Sequence, residues 1–166
     1  MSSKKLWIII TLYIVFIYTT LPLARLFLNA LYNTLGKTTL SLFTNLVLAG
    51  IFFYVVLKLY RRKGKRALIY TLAGTLLLGF IVTSLERPEE RIHFLEYGVL
   101  GFLFVKAFNS TDFRALTVSV LLASGVGVLD EVIQGFLPNR VGDIRDAFMN
   151  VAGGFLGVWF ARFYYS

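Results

Sequence analysis

The sequence predicts an all-α fold: a polytopic membrane helix bundle of about six transmembrane helices with both termini cytoplasmic. Three observations carry this expectation. Hydrophobic residues make up 57% of the 166 residues and charged residues only 16%, so a water-soluble domain would leave too much apolar surface wet. Six apolar runs approach the roughly 20 residues needed to cross ~30 Å of hydrocarbon. Between the second and third runs lies Arg61-Arg62-Lys63-Gly64-Lys65-Arg66, five cations in six residues, a cluster of the kind that stays cytoplasmic.

The runs are residues 6–24, 39–60, 67–85, 92–108, 115–137 and 147–165. They lack the polar alternation of a barrel strand, and their backbone groups must bond internally in lipid, so helices are the required form. The first run follows Lys4 and Lys5 as in a signal peptide, but it is long and no small-x-small cleavage site follows, so it reads as a retained span. With residues 61–66 inside, both termini and the loop near Ser110 also lie inside, and the loops near Asn33, Pro88 and Pro138 lie outside. That arrangement puts 11 of the 17 Lys and Arg residues on the inner side, in agreement with the positive-inside bias. Residues 25–36 mix Leu and Phe with Asn, Arg and Tyr, which suits a short interfacial helix as well as a plain loop. A single domain over residues 1–166 is expected. No internal repeat is visible, so an inverted-repeat transporter gains no support.

The net charge of +8 does not indicate a nucleic-acid partner, because the cations sit in short breaks between apolar runs and not along one face. Membrane lipids are the expected surroundings, with anionic headgroups near residues 61–66. Cysteine is absent, which excludes a disulfide, a thiolate metal site and a cysteine nucleophile.

Eight of the nine acids, Glu86, Glu89, Glu90, Glu96, Asp130, Glu131, Asp143 and Asp146, fall on the outer side or in the outer parts of the last three runs. Acids contribute little to topology, so orientation does not explain the clustering. Glu86, Glu89 and Glu90 flank Pro88 at a helix start, where acids favour the helix dipole. Glu96 and Glu131 each lie ~8–10 Å below a helix end. A carboxylate facing lipid at that depth is costly, so both are expected to face the bundle interior.

Helical spacing groups the remaining polar residues. His93, Glu96 and Tyr97 share one face, Glu131 and Gln134 are three apart, and Asp143, Asp146 and Asn150 form a stripe at the start of the last run. The linker over residues 138–146 adds Arg140 and Arg145, which suit neutralising carboxylates or clamping a phosphate or carboxylate ligand. Pro138 helps stop one helix and Asp143 can cap the next. Gly153, Gly154 and Gly157, with Gly98, Gly101, Gly125 and Gly127 on the partner helices, allow close helix approach.

The candidate ligand-binding set is therefore His93, Glu96, Tyr97, Glu131, Gln134, Arg140, Asp143, Arg145, Asp146 and Asn150. In an enzyme, His93 and Glu131 are the acid-base candidates; in a purely structural role, His93 pairs with Glu131 or Asp146. A divalent metal on His93, Glu131 and Asp146 has suitable nitrogen and oxygen donors, but no compact ligand motif is present and no cofactor is expected. Asn45, mid-run, suits a hydrogen bond between helices.

The segments Arg91-Ile92-His93-Phe94-Leu95-Glu96-Tyr97, Asp130-Glu131-Val132-Ile133-Gln134, Asn139-Arg140-Val141-Gly142-Asp143-Ile144-Arg145-Asp146 and Asn150-Val151-Ala152-Gly153-Gly154 together resemble the VanZ-like membrane proteins over residues 86–157. The first three runs match only as generic membrane helices. The resemblance implies a multipass protein of the bacterial cytoplasmic membrane, related to one associated with resistance to the glycopeptide antibiotic teicoplanin. It carries over to His93, Tyr97, Glu131, Gln134, Arg140, Asp143, Asp146 and Asn150, residues that depth and helical spacing also single out. The expected partners are a glycopeptide or a lipid-linked cell-envelope precursor. The rival expectation is a membrane-embedded enzyme acting on a phosphorylated lipid or lipid-linked precursor.

Overall fold

The computed structural model describes residues 3–66, 69, 74, 88–138 and 140–165. Among the described residues five helices follow in chain order, α1 (Ser3–Leu35), α2 (Lys37–Lys63), α3 (Pro88–Phe108), α4 (Phe113–Phe136) and α5 (Ile144–Tyr165), and no strand is found. The expected third span, residues 67–85, lies outside the described residues except for Ile69 and for Gly74, which is buried beside the Phe160 ring. Helices α1, α2 and α4 are long and apolar enough to cross a membrane. Helices α3 and α5 are of similar length but carry polar and charged residues at both ends.

The bundle turns its apolar side chains outward. Phe27, Leu46 and Leu121 are 66%, 64% and 64% exposed, on surfaces far too extensively apolar for water. This is the surface of a membrane protein. In α1, the buried Leu6, Ile10, Ile17, Leu21 and Leu28 recur at four and seven residues, a single stripe facing the bundle. Its first half packs with Tyr97, Leu100, Phe104 and Ala107 of α3 and Ala123 of α4 in one core.

Helix α1 is longer than the sequence suggests. Residues 25–35, which suited a separate interfacial helix or a loop, continue it without a break, and Pro22 sits inside it. At 33 residues it reaches roughly 50 Å, well beyond the ~30 Å hydrocarbon layer. The break comes only at Gly36, whose φ of +78° is open to glycine but strained for other residues.

Helices α3 and α5 form the most extensively packed pair, and glycine is the reason. A Cβ on Gly101 would strike the Gly154 backbone, and one on Gly157 would strike the Gly98 carbonyl. The two backbones therefore touch, as small-residue interfaces allow. The ends of the bundle follow. Ser3 Oγ donates to the Ala107 carbonyl at 3.1 Å, tying the start of α1 to the end of α3. Arg91 Nη1 donates to Ser41 Oγ at 2.7 Å, tying the start of α3 to the start of α2. One end of the bundle thus carries Lys4, Lys5 and residues 61–66, and the other carries the acidic cluster.

Candidate functional site

At the acidic end, the last turns of α4 meet the first turns of α3 and α5. The inward face of α4 runs Leu116, Ser119, Ala123, Gly127, Asp130, Glu131 and Gln134. Small residues let neighbours approach at mid-length, and three polar residues finish the stripe. A polar group buried there needs partners, because each unsatisfied one costs about 1–3 kcal/mol.

Asp130 is fully buried and is the centre of the network. Its Oδ2 accepts the Tyr97 hydroxyl at 2.7 Å, and its Oδ1 accepts Gln134 Nε2 at 3.3 Å. The same Gln134 nitrogen donates to Glu131 Oε1 at 3.1 Å, so one amide bridges two carboxylates. Glu131 Oε1 also faces Asn150 Nδ2 at 3.4 Å, and its Oε2 accepts the Asp143 backbone N–H at 3.1 Å. Asn150 Nδ2 donates in addition to the Gly127 carbonyl at 3.0 Å. His93 completes the group, with Nδ1 3.6 Å from Glu96 Oε2 and 3.7 Å from Asp130 Oδ2.

Glycine again sets the geometry. A Cβ at Gly127 would collide with Asn150, and one at Gly142 would collide with the Glu131 carbonyl, so α5 and the linker before it sit directly against α4. Asp143 starts α5: its carboxylate accepts the Arg145 amide at 2.9 Å, and its carbonyl accepts the Ala147 amide at 3.0 Å, the pattern of a helix cap.

Two arginines, Arg140 and Arg25, lie near the network. Arg140 is half-buried and lies within electrostatic reach of Asp130, Glu131, Asp146 and Arg25. Burial first, and then the Arg25 charge, pull its guanidinium below the ordinary arginine value. Its Nε is buried with no hydrogen-bond partner among the described residues, as is the acceptor Oδ1 of Asn150.

The structure brings together His93, Glu96, Tyr97, Glu131, Gln134, Asn150 and Arg140. Asp146 stands half-buried at the rim within reach of Glu131. The Asp143 side chain is taken up in capping, and the Arg145 side chain is exposed. His93 lies 3.6 Å from Glu96 and 3.7 Å from Asp130, whereas the structural pairing expected from the sequence was with Glu131 or Asp146. Among the described residues, no three His, Asp or Glu side chains converge as a metal ion would require. The side chains of Glu86, Glu89 and Glu90 lie outside the described residues.

Sequence reasoning missed three participants. Asp130 was counted among the acids but left out of the site, although its four-residue spacing to Gln134 puts both on the small-residue face of α4. Tyr13 and Tyr18 come from α1, where their hydroxyls donate to the carbonyls of Glu96 at 3.3 Å and Val126 at 2.9 Å. A tyrosine inside an apolar span needs a partner for its hydroxyl, and that was the available signal.

Fold and site together define a class: a membrane helix bundle with a buried histidine, carboxylate and amide network at one end and Arg140 beside it. Within that class, the sequence model of the VanZ/LLP1 family matches residues 5–165, nearly the whole chain, and the chain belongs to this family. The match extends well beyond residues 86–157, so the first helices are part of the family pattern too. Neither the comparison with curated proteins nor that with solved structures returned a match.

Proposed function

We propose that this VanZ/LLP1 family member crosses the bacterial cytoplasmic membrane six times, with both termini inside and the network around Asp130 facing outward. There it binds the anionic headgroup of a lipid-linked envelope precursor or a glycopeptide, and so lowers susceptibility to teicoplanin. The observation that carries the reading is Arg140: a half-buried guanidinium at the mouth, with Nε lacking a partner among the described residues. An oxygen of a phosphate or carboxylate would satisfy that donor by a charge-assisted bond. The distribution of Lys and Arg supports the orientation.

Expression in a susceptible host raises the inhibitory concentration of teicoplanin, and Arg140→Gln removes most of the gain while the protein still reaches the membrane. An unchanged inhibitory concentration with confirmed membrane expression overturns the reading. The position of His93, between Glu96 and Asp130, favours one rival: proton transfer on a phosphorylated lipid. In that case the purified protein changes the mass of a lipid in native extract, and His93→Ala abolishes the change.

A further inference from the structure

We propose that a groove between α2, α3 and α5 is a binding site for an anionic glycerophospholipid, with one acyl chain in the groove and the phosphate held by Lys58 and Lys106. The inference rests on the membrane setting of the chain and is independent of the network around Asp130. The groove has a volume of about 630 Å³, within the range of about 300–1,000 Å³ typical of small-molecule sites. Its walls are apolar, built from residues such as Leu48, Val55, Phe94, Val99 and Leu156. Among the described residues that line it, only Lys58 and Lys106 are charged, and both are cations.

The two lysines stand at one end. Lys58 is near the end of α2 and Lys106 near the end of α3, and Tyr164 and Tyr165 close α5 at the same level. Arg62 confirms the level, since its guanidinium carbon lies 4.5 Å from the centre of the Tyr164 ring. Away from this end the groove runs along α2 as far as Asn45, thirteen residues or roughly 20 Å of helix. Asn45, expected to bond between helices, is instead exposed on this side. One leaflet of a bilayer is about half of the ~30 Å hydrocarbon thickness, so an acyl chain fits in the shaft with its headgroup at the lysines. Cations at one end and an apolar shaft below select an anionic amphiphile over a zwitterionic one, and over a free phosphate that lacks a tail.

Native mass spectrometry of the delipidated full chain in non-ionic detergent tests this, with phosphatidylglycerol, phosphatidylcholine of the same acyl chains, and glycerol phosphate as probes. A one-to-one adduct is expected with phosphatidylglycerol, preferred roughly tenfold over phosphatidylcholine, and none with glycerol phosphate. The paired substitution Lys58→Gln and Lys106→Gln brings the preference close to unity, whereas Lys58→Arg with Lys106→Arg keeps it. Val99→Trp, which fills the shaft, weakens both lipids alike. Lys65→Gln with Arg66→Gln, on the same end but outside the groove, leaves the preference in place. Equal uptake of both lipids by the unaltered chain overturns the proposal. So does loss of the preference in the Lys65 and Arg66 pair to the same extent as in the groove pair, because the charge effect would then belong to the whole basic end.

Discussion

The Tyr97 hydroxyl and the Asp130 carboxylate, 2.7 Å apart and both wholly buried, are the tightest contact in the site. Tyr97→Phe leaves Asp130 with one donor fewer in a place water does not reach. We expect it to destabilise the protein by about 1–3 kcal/mol, read as a lower unfolding midpoint in detergent with helix content unchanged before the transition. At the opposite end, Asp112 caps α4 by accepting the Ala115 amide at 2.7 Å. That hydrogen bond, with help from Ser110, holds its carboxyl below the usual aspartate range. A carboxyl depressed in the folded state stabilises at pH values above its unfolded value of about 3.9 and loses that contribution as pH falls through the folded one. Asp112→Ala should therefore lower the thermal midpoint modestly at pH 7, and the gap to the parent should narrow below about pH 4. Asp130 shows where single-residue reading falls short. Its charge and spacing were visible, but Asp130 and Glu131 are adjacent, and only the rotation of α4 decides which one takes Tyr97.

The contact between α3 and α5 is a property of whole elements. Gly98, Gly101, Gly153, Gly154 and Gly157 bring the two backbones into touch, and that approach sets the height at which His93 and Tyr97 meet Asn150 and the end of α4. Gly157→Leu would have to push the Gly98 backbone away. Overpacking of this kind costs about 1–3 kcal/mol or more. We expect a lower unfolding midpoint, and with it a loss of the proposed protection against teicoplanin, although no residue of the polar network has changed. The glycine spacing was legible in the sequence as a close-packing signal. The pairing was not, because several glycines on three helices offered alternative partners. The length of α1 was also hidden: Asn, Arg and Tyr after residue 24 read as an exit from lipid, yet the helix continues to Leu35.

At the scale of the whole bundle the charges of the described residues divide by end, apart from Asp112 at the basic end. Lys4, Lys5, Lys58, residues 61–66, Lys106, Arg114 and Arg162 collect where α1 and α4 begin and where α2, α3 and α5 finish. The carboxylate network, Arg25, Arg91, Arg140 and Arg145 occupy the other end. Because the chain has no cysteine, single substitutions report the orientation without background. Ser110→Cys in intact cells should stay unlabelled by a membrane-impermeant thiol reagent, and Val141→Cys, whose side chain is 81% exposed, should be labelled. The reverse result would turn the site inward and end the proposed encounter with an external ligand.

The sequence by itself determined the helical membrane class, the separation of basic and acidic ends, and the level along the helices at which the polar residues gather. These depend on hydropathy, on charge placement and on 1.5 Å per residue along a helix, all of which are local. Tertiary structure decided the partners: Asp130 as the hub, Gln134 as the bridge to Glu131, His93 beside Glu96 and Asp130, and Tyr13 and Tyr18 as the wall from α1. Which donor meets which carboxylate depends on helix rotation and on how closely glycines let backbones approach. Neither quantity is carried by any one segment of the chain.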